Sequence, residues 1–127
     1  MDRVILDTSI LIGDSAPEGV EAAISVVSLA ELHYGVLLAG DDPQELARRT
    51  DRLARVESTF EPLPVTIEIA REWGRLAAAV RTRGSQPRKR QLDLLIAATA
   101  VQYHVPLLTH NIQDFTVIKD LVEVREP

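Results

Sequence analysis

The sequence contains no cysteine. That excludes disulfides and thiolate metal sites as supports of the fold, and it suits a reducing cytoplasm, the expected location. No apolar run approaches the ~18 residues of a membrane helix, so no membrane association is expected. The opening MDRVILDTS has no signal-peptide layout, because Asp2 and Asp7 flank a very short apolar run. Internal repeats and low-complexity segments are absent. The histidines, His33, His104 and His110, lack metal-ligand spacing with one another.

What remains reads as one domain over 1–127. A chain of this size buries roughly two-thirds of its unfolded surface, enough for a core without staples. Apolar residues make up 46% and charged residues 26%, which is ordinary for a globular protein. The net charge of −5 argues against a surface coated for nucleic acid. The charge is uneven, however. RTRGSQPRKR, Arg81 to Arg90, holds five of the fourteen basic residues and no acid. An acidic chain with one such segment can still grip a polyanion locally.

The apolar pattern alternates short strands with helices. Arg3–Leu6 reads as a buried strand ended by Asp7, and AAISVV, Ala22–Val27, as a second. Ser28 opens a helix that stops at Gly40, a C′ glycine. Asp42 caps the next helix, with Pro43 at its first position. That helix has a thin apolar face of Leu46, Leu53 and Val56, and the hairpin Ser28–Ser58 is under-covered enough to receive a partner's apolar segment. FEPLPV fits an edge strand or loop. Thr66 starts a third helix, with Trp73 in core register with Ile69 and Leu76, and Gly84 stops it. Gln91–Tyr103 is apolar all round and hence buried. Leu107–Leu108 and LVEVRE supply the last strands. The expected class is α/β: a three-layer α/β/α sandwich around a short, mainly parallel sheet. Such sheets bind ligands beyond the carboxyl ends of their strands.

Four carboxylates fall at that edge, and each has an ordinary local role. Asp7 can cap the turn at Thr8. Glu31 completes a capping box with Ser28. Asp93 can complement the dipole of the most apolar helix, although its neighbours Leu92 and Leu94 leave it short of a partner. Asp114, in THNIQDF, can form a turn. Jointly the local roles are strained. Asp7 and Asp114 follow strands, while Glu31 and Asp93 sit in first turns of helices, so all four share one edge. Close carboxylates repel, and a hard divalent cation relieves the conflict. Ser9, Thr109 and Asn111 add neutral oxygens that can orient water or phosphate.

LDTSILI (Leu6–Ile12), SLAELHYG (Ser28–Gly35), DLLIAATA (Asp93–Ala100) and LLTHNIQDF (Leu107–Phe115) together resemble the PIN-domain ribonucleases, specifically the VapC toxins of bacterial toxin–antitoxin pairs. The pieces span nearly the whole chain in the family's order. The family often has an acid where Asn111 stands, and the segment between Asp7 and Glu31 is short for it, so a reduced first helix is expected. The resemblance implies a Mg²⁺- or Mn²⁺-dependent endoribonuclease that cuts structured RNA, tRNA or rRNA. It implies a homodimer neutralised by a VapB-like antitoxin. Asp7, Asp93 and Asp114 would hold metal, Glu31 would complete the shell or orient water, and Ser9, Thr109 and Asn111 would be the polar companions. Arg88, Lys89 and Arg90, directly before the Asp93 helix, would grip RNA phosphates.

Two rival readings belong beside this one. A phosphoaspartyl enzyme also carries an Asp after its first strand, but here the residue two positions on is Ser9, and the only lysines, Lys89 and Lys119, follow no clear strand. A catalytically weak PIN-like module that binds RNA or antitoxin without cutting is the alternative that a cleavage assay separates.

Overall fold

The computed structural model describes residues 1–13 and 16–127. Strand β1 (Asp2–Leu6) leads into helix α1 (Thr8–Ile12), then β2 (Val20–Ala23), α2 (Val26–Leu38), α3 (Pro43–Thr59) and α4 (Ile67–Thr82). A 3₁₀ turn, Pro87–Arg90, precedes α5 (Gln91–Gln102), followed by β3 (Leu107–Leu108), a 3₁₀ segment Ile112–Ile118 and β4 (Val124–Arg125). The strands form one sheet in the order β2-β1-β3-β4. Its three pairings are parallel, with Ile5 beside Leu107 and Leu6 beside Leu108.

The layers follow from the period-two alternation of β1. Ile5 packs on one side with Ile69 and Leu76 of α4, Ile96 of α5, and Phe115 and Ile118. Val4 and Leu6 face the other side, against Ile10 of α1, Leu32 of α2 and Val56 of α3. Both sheet faces are thus covered, giving the expected three-layer α/β/α sandwich. Burial of each large aliphatic side chain contributes about 1.5–3 kcal/mol. Ile96, Ala97, Ala98 and Ala100 are fully buried, as the unbroken apolar run of α5 requires.

Local signals set most boundaries. Asp42 accepts the Glu45 amide at 3.1 Å, and Thr66 accepts the Ile69 amide at 3.2 Å. Gly40 and Gly84 take the left-handed conformation, φ 56° and 88°, that ends α2 and α4. Helix α1 has five residues, the reduced first helix that the short Asp7–Glu31 segment predicts.

Several expectations are corrected. Helix α2 begins at Val26, capped by the Ser25 hydroxyl on the Val27 amide, so Val26 and Val27 belong to it and not to a strand. The cause is non-local: Ser25 bridges Leu63, which exchanges backbone hydrogen bonds with Ile24 and Val26 and ends the extended segment there. FEPLPV accordingly contributes this single bridge. Trp73 is half-buried at the margin of the core, its Nε1 donating to the Gln91 carbonyl at 3.2 Å. On α3, Val56 is buried, Leu53 half-buried and Leu46 40% exposed.

Candidate active site

Strand β1 lies where the strand order reverses, with β2 on one side and β3 on the other. This switch point opens a crevice at the carboxyl end of the sheet. Asp7 is the first residue past β1 and only 4% exposed. It stands at the N-cap of α1 but makes no side-chain cap bond. Its Oδ2 instead accepts from the Ser9 and Thr109 hydroxyls, each at 2.8 Å. Thr109 is fully buried just beyond β3, and its hydroxyl also accepts the Asn111 amide at 3.0 Å. Two strand ends are thereby tied through one carboxylate oxygen.

Glu31 faces the same crevice from α2. With Ser25 as the cap, Ser28 and Glu31 form no capping box, which corrects the local role read from SLAE. Thr8 donates to Glu31 Oε1 at 2.7 Å and shares a 2.9 Å hydrogen bond with Ser28. Burial pushes the Glu31 carboxyl up, the Thr8 bond opposes that, and Asp7 adds repulsion. Asp93 enters from the first turn of α5, a helix that starts without a side-chain cap. Burial, then the charges of Asp7 and Glu31, raise its pKa to about 6, against the partial offset of Arg90. Asp114, in the first turn of the 3₁₀ segment, completes the group.

The four acids line one open cleft of about 530 Å³ with Thr8, Ser9 and Asn111. Ile12, Tyr34 and Leu92 form its apolar rim. The predicted acids are therefore brought together, and Thr109 supports them from beneath. Thr8 is the hydroxyl that sequence reasoning missed. The signal was its place in the Asp7-Thr8-Ser9 run: successive residues at the head of α1 point about 100° apart, so Ser9 meets Asp7 and Thr8 meets Glu31.

The basic segment does not act as one cluster. Arg90 turns inward: its Nη1 lies 2.9 Å from Asp114 Oδ2 and 3.6 Å from Asp93 Oδ2. Arg88 lines a hollow with Arg81, and Lys89 shares one with Arg90 and Asp114, but among the described residues Arg90 alone of the three pairs with the acids.

Among the described residues, no three His, Asp or Glu side chains stand close enough to hold an ion as placed. Hydroxyls hold Asp7 and Glu31, and Arg90 holds Asp93 and Asp114. The donor set nevertheless fits a hard cation. It is all oxygen, its carboxylates repel one another, and Mg²⁺ takes only one or two carboxylates with waters and substrate phosphates.

A parallel sheet with acids gathered at its switch point defines a class, and the comparisons agree with it. A PIN-domain family model matches residues 4–121. Ribonuclease VapC4 of Mycobacterium tuberculosis is 33% identical over 126 residues, covering 94% of this chain and 93% of that protein. Ribonuclease VapC5 of the same organism is 35% identical over 129 residues, covering 94% and 90%. The crystal structure of VapBC-5 from M. tuberculosis, a member of the VapBC family of toxin–antitoxin systems, matches with a TM-score of 0.83 at 33% identity over 99% of this chain and 98% of that one. The VapBC2 structure from Rickettsia felis, at 24% identity and a TM-score of 0.79, shares the fold. The chain belongs to the PIN-domain family and stands among its VapC ribonucleases.

Proposed function

We propose that the protein is a divalent-metal-dependent endoribonuclease, the toxin of a cytoplasmic VapBC-type pair. The observation that carries the reading is the gathering of Asp7, Glu31, Asp93 and Asp114 in one cleft, with Asp93 raised to about 6 by burial and by the other acids. Groups perturbed in this way cluster at functional sites. Asp7, Asp93 and Asp114 would hold Mg²⁺ or Mn²⁺ directly or through water. Bound there, the ion would supply the positive charge that activates water and stabilises the negative charge developing on the phosphoryl oxygens.

The chain's own residues do the rest. Ser9 and Thr109 fix the orientation of Asp7. Thr8 fixes Glu31, which accepts a hydrogen bond from the attacking water and aligns it. Asn111, exposed at the mouth of the cleft, offers an amide to a phosphate oxygen. In-line attack leaves a 5′-phosphate. Arg88 and Lys89, exposed on the turn before α5, contact flanking phosphates without reading sequence. The substrate class is structured RNA, tRNA or rRNA, and the partners are a second copy of the chain and a VapB-like antitoxin. The VapC relatives support the ribonuclease class and the VapBC complex of matching fold supports the antitoxin, while structured RNA and the second copy are what the family resemblance implies.

The test is cleavage by the purified chain of a mixed tRNA and rRNA substrate with Mg²⁺, with Mn²⁺ and with EDTA. Internal cuts bearing 5′-phosphates in the metal samples alone are expected. Equal cutting in EDTA, or RNA bound and left intact in all three, contradicts the reading.

A further inference from the structure

The side chain of Arg90 joins the basic turn to the acidic cleft. The Asp93 and Asp114 side chains it meets are only 25% and 20% exposed, whereas Arg90 itself is 46% exposed. The carboxylates are therefore the sheltered side of the contact, and the cation between them is reachable from solvent. Its backbone is anchored at the head of α5, three residues before Asp93, so only the side chain has to move for the contact to open. The guanidinium is charged at every working pH and suits carboxylates and phosphates alike.

We propose that Arg90 is the site's internal counter-cation: its guanidinium and a divalent ion compete for Asp93 and Asp114, so Arg90 sets how tightly the ion is held. This rests on the reading of the acids as a cation site and adds a determinant of its affinity. An ion that takes the two carboxylates releases the guanidinium at the rim of the cleft. An RNA phosphate there offers it oxygens in place of the two carboxylate oxygens, one from each acid, that it gave up. Arg90 is then a positioning residue, available to substrate when the acids are engaged by metal. Arg88 and Lys89 carry the same charge nearby without touching the acids, and serve as controls.

The test is calorimetric titration of Mn²⁺ into the metal-free protein and its Arg90→Gln, Arg88→Gln and Lys89→Gln variants at one ionic strength. Competition of this kind has the size of an ordinary coupling between sites, so Arg90→Gln is expected to tighten Mn²⁺ about fivefold or more. The two control variants should stay within about twofold of wild type, because salt screens exposed charges at a distance. Equal tightening in all three variants, which bare charge loss would produce, overturns the proposal. So does unchanged affinity in Arg90→Gln. In either case Mn²⁺ still binds and the cation site stands. If none of the four proteins binds Mn²⁺, the cation reading itself falls and takes this one with it.

Discussion

Asp42, between Asp41 and Pro43, and Asp93, between Leu92 and Leu94, both stand at the head of a helix. At α3, Asp42 accepts the Glu45 amide and does what an acid at a helix start ordinarily does. At α5, Asp93 sits in the first turn of a helix without a side-chain cap, and its pKa is raised to about 6 by burial and by the charges of Asp7, Glu31 and Asp114. One acid stabilises the fold locally. The other sits among like charges that tertiary structure delivers, and the fold carries it at a disadvantage. Carboxylates perturbed in this way cluster at functional sites, which is the ground for proposing Asp93 for chemistry and not for architecture.

The contrast breaks most sharply on activity. Loss of a metal ligand forfeits several kcal/mol of transition-state stabilisation. Asp93→Asn should therefore lower RNA cleavage by about 10²- to 10³-fold, while Asp42→Ala stays within about twofold of wild type. Initial rates at saturating Mn²⁺ measure both. Comparable losses in the two variants would erase the distinction.

On stability the roles reverse. Asp42→Ala should destabilise the metal-free protein by about 0.5–2 kcal/mol through loss of the cap, read from denaturant midpoints in EDTA. Asp93→Asn removes charge and keeps shape, so it should cost nothing there.

The difference also has a pH signature. Below about 4, Asp93 is protonated in both folded and unfolded chains and contributes no pH dependence. As pH rises towards 6, the unfolded chain gives up this proton while the folded chain, with its value near 6, keeps it. Wild type should therefore lose stability relative to Asp93→Asn between about pH 4 and 6, and the gap should be flat above 7. Mn²⁺ affinity should rise over the same range, since a ligand must shed its proton. Parallel stability curves for the two proteins would mean that Asp93 does not titrate in this window.

Much of the fold was legible because its signals are local. The caps at Asp42 and Thr66, the stops at Gly40 and Gly84 and the apolar run of α5 each lie within a few residues of what they determine. The start of α2 was not, because SLAE is a sound capping box by itself. The deciding contacts come from Leu63, which pins Ser25, and from Thr8, which engages Ser28 twenty positions away. The same limit holds at the cleft. The acids stood out by their position after strands and before helices, but nothing near Glu31 names Thr8 as its partner. Nothing in RKR tells Arg90, which pairs with Asp93 and Asp114, from Arg88 and Lys89. Trp73 kept helical register, and only the packing of α4 on α5 shows it at the margin, bonded to the Gln91 carbonyl.

The central claim is that Asp93 belongs to a cation site and not to the architecture of α5. Thermal melts of wild type and Asp93→Asn, each in EDTA and in Mn²⁺, test it most directly. At a hundredfold excess over its dissociation constant, Mn²⁺ should stabilise wild type by about 2.7 kcal/mol. Asp93→Asn should show far less of that shift, while melting in EDTA at or above wild type. An Asp93→Asn protein that melts well below wild type in EDTA, with equal Mn²⁺ shifts in both, would contradict the account.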